Sequence, residues 1–536
     1  MVVDQSSHAP PPLMTGGEAV VGALRAHDVT HVFGIPATHT LGIYRALGLA
    51  DDIQHITTTH EQGAAFMADG YARAGGRPGV CCVTTGPGLA NAATALAQAY
   101  SDSIPVLCIT SHIPSIDIGR NRGHSHELRS QEKLIEGVTD RSWLVRSPAE
   151  IPSAITEAFG SFGSQRARPA VVAVPVDVQD DSEPTVILPP IKNEVRVPAA
   201  SAVEEAAKLL SASSSPALVV GGGTQNAADK VVELAIRLDA PVVTTLNGKG
   251  VIPGDHPLAT SVAGYEAIGR FLAACDCVLA IGTELSPADF WTIPLELHGK
   301  LIQIDLDENQ IGVNHPVDHA VIGDAGVAME MLLEALPPAA SRSGTSRAGA
   351  VRESAIAEAL LFGEPYRPWI EALRKAMPAE STLVLDIAMV AGAAFPIYDT
   401  VAPSAWIHPT GLGTLGYALP AAIGAKIAAP DRQVAALVGD GGFMFTMSEL
   451  SVAVQHSLTI PIILWNNRGY GEIKRLMEER GDQPYASDLR TPDFVTLATA
   501  FGAQSEVVRE PVALVEAVGR AFEADGPTLI EIPDWT

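Results

Sequence analysis

The chain has 536 residues, 47% of them hydrophobic and 18% charged, with a formal net charge of −26. Its length exceeds what one hydrophobic core organises and asks for two to four domains. So acidic a surface repels phosphate backbones, which argues against nucleic acid. No apolar run approaches the ~20 residues of a membrane helix, and five cysteines without CxxC or zinc spacing read as buried thiols in a reducing, cytoplasmic setting.

In chain order, residues 1–13 lack the basic and apolar regions of a signal peptide and predict a disordered tail. A first α/β domain follows over 14–185. Within it, HEQGAAFMADGYAR predicts a helix opening on Glu61, with Gly63, Ala64, Ala65 and Ala68 along its flank. A lone acid at a helix start ordinarily caps it or faces solvent. The proline-rich stretch EPTVILPPIKNEVRVPAA leads to a central domain over 196–337, with strands in PALVV, APVVTT, CVLAIG and LIQIDLD. Gly221, Gly222 and Gly223 occur there as GGG, without full GxGxxG spacing. PPAASRSGTSRAGAVRES predicts a surface linker over 338–362. The last domain, 363–536, carries TLVLDI, QVAALVG, TIPIILWN and TLIEI.

Runs apolar at nearly every position predict strands covered on both faces, hence parallel sheets wrapped by helices. Ligands of such sheets bind at the carboxyl ends of the strands. Two of those ends are polar in a telling way: GDG closes VAALV, and NN closes PIILW 27 positions after the Asp. Asp440 offers a hard anionic oxygen and Asn467 a neutral amide oxygen, and the two can converge. Magnesium prefers such oxygens, taking few from protein and sharing the rest with phosphate and water. Gly441 and Gly442 clear space for a diphosphate, and the helix expected from about Phe443 aims free N–H groups at it.

GDG and NN at this spacing, together with HVFGIPATHTLGIYRAL, HEQGAAFMADGYARAGGRPGVCCVTTGPGLANAATALAQAYSDSIPVLCIT and GLGTLGYALPAAIGA, resemble the acetolactate synthase-like branch of thiamine-diphosphate (ThDP) enzymes over nearly the whole chain. The resemblance implies three parallel-sheet α/β domains: pyrimidine-binding, central and diphosphate-binding. It implies Mg²⁺ held by Asp440, Asn467 and the Gly469 carbonyl. Glu61 would touch N1′ of the aminopyrimidine and favour the tautomer that activates the thiazolium C2. Leu415 would lie beneath the cofactor and bend it, with the Gly413 carbonyl accepting from the 4′-amino group. Pro36, Thr84, Gly88, Asn91, Gly439, Tyr470 and Gly471 would complete the pocket. Met389 and Val390 stand where acetolactate synthases show polar groups for the far phosphate, so main-chain N–H groups would have to replace them.

The implied reaction is non-oxidative: addition of a C2 ylide to a 2-oxo acid, loss of CO₂, and an enamine that is protonated to an aldehyde or attacks a second carbonyl, as in acetolactate synthase. A catalytically silent binding or regulatory homologue is the alternative of another class. GIPATHT, HEQGAAFMADGYAR and GTEL…DF resemble 5-guanidino-2-oxopentanoate decarboxylases more closely. Thr38, His39, His126, Gln131 and Glu472 would then meet the substrate, and Glu284, Asp289 or Glu472 could pair with a guanidinium. His124 and Glu127 lie in the same stretch. IGTELSPADFW replaces the GxRFDDR stretch found near the flavin of acetolactate synthases, which weighs against FAD. Ile473 occupies the place of the acid of pyruvate-type decarboxylases, and His112 stands without the tandem histidine of that branch. The family also implies a homodimer or dimer of dimers with shared active sites; LMEERGDQPYASDLRTPDF, mostly polar and following the metal loop, is expected to order as a lid over cofactor and substrate.

Overall fold

The computed structural model describes residues 10–291, 295–338 and 341–534. They fall into two compact units, residues up to 72 with 76–193, and 73–75 with 194 onwards. Residues 1–9 of the expected tail lie outside the described residues. Its last residue, Leu13, is part of a strand: β1 (Leu13–Thr15) pairs antiparallel with β8 (Ser182–Pro184) and ties the two ends of the first unit together.

The main sheet of that unit contains β2 (His31–Gly34), β3 (Gln54–Thr57), β4 (Gly79–Val83), β5 (Val106–His112), β6 (Arg141–Leu144) and β7 (Ala170–Pro175), in the order β3-β2-β4-β5-β7-β6. All its pairings are parallel. β4, β5 and β7 are buried along their whole length. That is the physical content of apolar runs without alternation.

The second unit holds two further six-stranded parallel sheets. The central one comprises β9 (Pro216–Val220), β10 (Val242–Thr244), β11 (Ala259–Val262), β12 (Cys277–Ile281), β13 (Lys300–Asp305) and β14 (His319–Ile322), ordered β11-β10-β9-β12-β13-β14. The last comprises β15 (Thr382–Leu385), β16 (Trp406–Ile407), β17 (Val434–Gly439), β18 (Pro461–Asn466), β19 (Gln504–Val507) and β20 (Thr528–Pro533), ordered β16-β15-β17-β18-β20-β19. β15, β17 and β18 are adjacent, and Gly439 is in register with Trp465. The residues that follow these strands therefore emerge side by side.

The linker expected over 338–362 is corrected by the structure. Residues 339–340 lie outside the described residues, but Gly344–Gly363 form a 20-residue helix. Ala348, Val351, Ala355 and Ala359 are buried along it, and the last three join a core that also holds Leu383 and Leu385 of β15. Small apolar residues at helical spacing carry the burial, so a polar composition concealed an amphipathic stripe. Glu358 on this helix accepts the N–H groups of Glu266 and Ala267 at 2.8 and 2.9 Å, capping a helix of the central domain. Among the described residues no helix is long and apolar enough to cross a membrane.

Candidate active site

In the first unit, the carboxyl ends of β2, β3 and β4 gather Glu61, Thr84, Gly88 and Asn91. Glu61 is the first residue of the helix Glu61–Gly75, which follows β3 and is capped by the His60 side chain. The Asn91 amide donates to Glu61 Oε2 at 2.9 Å. A Cβ on Gly88 would stand 3.2 Å from Glu61 Oε1 and 2.8 Å from Thr84 Cγ2, so glycine leaves that oxygen accessible. The buried Thr84 hydroxyl has no hydrogen-bond partner among the described residues. One carboxylate oxygen is thus fixed, the other has space, and an unsatisfied hydroxyl sits alongside.

Pro36 and Thr38 are exposed on the loop after β2, and His39 is half-buried. The His39 ring packs on His126 with centroids 4.7 Å apart, and among the described residues the buried Nδ1 of each has no hydrogen-bond partner. Desolvation, then the neighbouring His126 and His124, push the His39 pKa below its ordinary value. Gln131 is buried and engaged at both ends: Thr85 Oγ1 donates to its carbonyl at 2.5 Å, and its amide donates to the Ser111 carbonyl at 2.9 Å. It braces the turn that precedes Gly88. His112 accepts the Ile113 N–H at Nδ1 (2.9 Å) and lies 3.3 Å from Glu132 through Nε2. Glu127 accepts the N–H groups of Gly123 and His124, which makes it a loop brace. Asp117, which no sequence signal singles out, is buried, 2.8 Å from His124 Nε2 and 3.0 Å from the Arg122 guanidinium.

In the second unit, one N–H group marks the meeting point of the two strand ends. Gly469 N donates to Asp440 Oδ2 at 3.0 Å and to Asn467 Oδ1 at 3.2 Å. Asp440 is 2% exposed, and desolvation lifts its pKa to about 6 against opposing backbone N–H groups. Asp440 opens its helix (Asp440–Thr446), three residues earlier than the sequence suggested. Its carboxylate belongs to the first turn. That helix and those starting at Met389 (to Ile397) and Gly471 (to Glu479) all lack a side-chain cap. Uncapped first-turn N–H groups make an anion cradle. Val390 is buried in the core, and the Met389 sulfur lies 3.6 Å from the Tyr366 hydroxyl.

The glycines of GDG are explained partly by protein contacts. A Cβ on Gly441 would meet the Tyr470 ring at 2.9 Å, and one on Gly442 the Asp386 carboxylate at 2.9 Å. Asp386, which sequence reasoning passed over, is wholly buried, and burial raises its pKa to about 6. Gly413 lies exposed and Leu415 half-buried on the loop after β16. Glu472 is engaged by Arg475 through two hydrogen bonds of 2.5 and 3.0 Å, so its carboxylate already has a guanidinium partner. Ile473 beside it is exposed. Glu284 and Asp289 lie beyond β12, on the central sheet. There a Cβ on Gly221 would stand 2.3 Å from the Gly282 carbonyl, so close strand-end packing accounts for that glycine without a dinucleotide.

The donors fit the cofactor group that this arrangement suggests. Among the described residues no group of three or more His, Cys, Asp or Glu could hold a metal. One buried carboxylate with neutral oxygens suits a cation that takes few protein ligands and shares phosphate, as Mg²⁺ does.

Family models match along the chain in the same three parts. The N-terminal TPP binding domain of thiamine pyrophosphate enzymes matches residues 14–134, the central domain 203–332 and the C-terminal TPP binding domain 386–532. The chain belongs to the thiamine pyrophosphate enzyme family, in the group of decarboxylases and acetolactate synthases. It is 39% identical to a probable 2-ketoarginine decarboxylase of Pseudomonas aeruginosa, over 98% of this chain and 94% of that one. It is 31% identical to a probable acetolactate synthase large subunit of Methanocaldococcus jannaschii, covering 97% and 92%. Identity to the acetolactate synthase isozyme 2 large subunit of Escherichia coli is also 31%, covering 97% and 95%.

Proposed function

We propose that this protein is a ThDP- and Mg²⁺-dependent non-oxidative decarboxylase of a 2-oxo acid. The observation that carries the reading is the single Gly469 N–H shared by Asp440 and Asn467. Those two oxygens and the Gly469 carbonyl would hold Mg²⁺, and the N–H groups at Met389, Asp440 and Gly471 would receive the diphosphate. Bound ThDP supplies a nucleophilic carbon and an electron sink for decarboxylation. Leu415 and the Gly413 carbonyl would orient the aminopyrimidine. Glu61, with Oε2 fixed by Asn91, would hold the proton at N1′ through Oε1. Glu61 and Asp440 would meet in one site built from two copies of the chain, in a homodimer or dimer of dimers.

The name of the 39% identical relative favours a substrate with a guanidinium on its side chain. His39, pushed below its ordinary pKa by burial and the neighbouring His126 and His124, suits that choice, because a neutral ring can accept a hydrogen bond from a cation without repelling it. Acetolactate formation from pyruvate is the second reading, favoured by the 31% identical relatives. A flavin plays no part in either reaction as proposed. The test is a panel of 2-oxo acids with ThDP and Mg²⁺, following CO₂ and identifying the organic product by mass spectrometry. A guanidino aldehyde supports the first reading and acetolactate the second. No CO₂ from any acid overturns both.

A further inference from the structure

The geometry points to Asp386 as the positioning residue that locks the Leu415 loop to the GDG turn, and so sets how ThDP is held. This rests on the cofactor reading above. Asp386 follows β15, and its buried carboxylate reaches three separate pieces of the half-site. Oδ1 accepts the N–H of Ile387 at 2.8 Å, at the approach to the Met389 helix. Oδ1 also accepts Gly416 N at 3.1 Å, and Oδ2 accepts Ala418 N at 3.2 Å, both just past Leu415. The third piece is Gly442, whose α-carbon approaches so closely that any side chain there would strike the carboxylate.

Gly416 is held from its other side as well. Its carbonyl accepts the Thr446 hydroxyl at 2.8 Å, and Thr446 closes the helix that Asp440 opens. Gly416 has φ of 79°, a conformation that glycine adopts without strain. The peptide next to Leu415 is therefore clamped between the end of β15 and the metal-bearing helix. A buried carboxylate is costly unless its hydrogen bonds are met. Here its bonds span positions 30 and 32 residues apart in sequence, which is how a charge fixes relative geometry. The carboxylate partners of Asp386 described above are main-chain N–H groups, those of Ile387, Gly416 and Ala418. Asp386 acts through Leu415, Gly413 and Gly442.

Asp386→Asn keeps the shape but turns one acceptor into a donor facing backbone N–H groups. Supporting partners of this kind typically change affinity or activity by about 10–100-fold. Calorimetry of the full-length variant with ThDP and Mg²⁺ should show binding weakened by about that factor. At saturating cofactor, kcat should fall while KM for the 2-oxo acid stays near that of the parent. Thr446→Val removes the opposite clamp, should shift both quantities the same way by a smaller factor, and decides the matter if Asp386→Asn does not fold. Parent-like cofactor affinity and kcat in folded Asp386→Asn, or in Thr446→Val where only that variant folds, overturn the proposal. A parent protein that fails to bind ThDP instead overturns the cofactor reading on which it stands.

Discussion

Replacing Asp440 with Asn separates a metal ligand from a folding residue, because the two roles have opposite signs. Burial lifts the carboxyl pKa from its ordinary value near 3.8 to about 6. At ~1.4 kcal/mol per unit, this corresponds to at most about 3 kcal/mol. As an order of magnitude the cost is therefore about 1–3 kcal/mol. The folded pKa lies above the unfolded one, so the cost is absent below pH 4, grows as pH rises towards 6 and persists above. Asparagine carries no charge to desolvate and keeps an oxygen for the Gly469 N–H. Without cofactor at pH 7.5, Asp440→Asn should therefore melt at or a few degrees above the parent, and the gap should close at pH 4. With ThDP and Mg²⁺ the order should reverse, since only the parent gains stability by binding. Scanning calorimetry with and without cofactor, at both pH values, reads all four states. A variant less stable than the parent at pH 7.5 without cofactor, or one with the same cofactor-induced rise in Tm, refutes the reasoning.

Two further outcomes are expected. Glu61→Gln and Asp440→Asn chains, each inactive alone, should recover activity when mixed, because each hybrid dimer retains one intact site; no recovery after verified subunit exchange counts against a shared site. Exchange of amide hydrogens over residues 480–486 should slow when ThDP, Mg²⁺ and a 2-oxo acid analogue are added. The amides of Tyr470 and Leu489 should be slow throughout, because Tyr470 N donates to the Ser487 carbonyl at 2.8 Å and Leu489 N to the Arg468 carbonyl at 2.7 Å. Equal exchange over 480–486 with and without ligands removes the lid.

Strands buried on both faces were the most legible part of the chain. PALVV and QVAALVG read directly onto β9 and β17, because a parallel sheet needs no alternation and the apolar run is the whole signal. Asp440 and Asn467 were legible for a related reason: polar residues at the ends of such runs stand out. Asp386 sits at an equivalent strand end but was silent, since its partners Gly416 and Ala418 use main-chain N–H groups that no sequence pattern encodes. The helix Gly344–Gly363 was hidden by composition, its buried stripe being mostly alanine. The pairing of Glu472 with Arg475 is an ordinary i,i+3 contact on one helix face, visible in principle once that helix is drawn.

The central claim is that Glu61 activates the cofactor, and exchange of the C2 proton of bound ThDP into deuterium oxide tests it most directly. Glu61→Gln keeps the shape and hydrogen-bonding capacity of the side chain but cannot shuttle the N1′ proton. With ThDP and Mg²⁺ occupancy matched, exchange in the variant should be slower by about 10²–10⁴-fold, the usual contribution of a positioned acid–base group. Equally fast exchange in parent and variant would contradict the account.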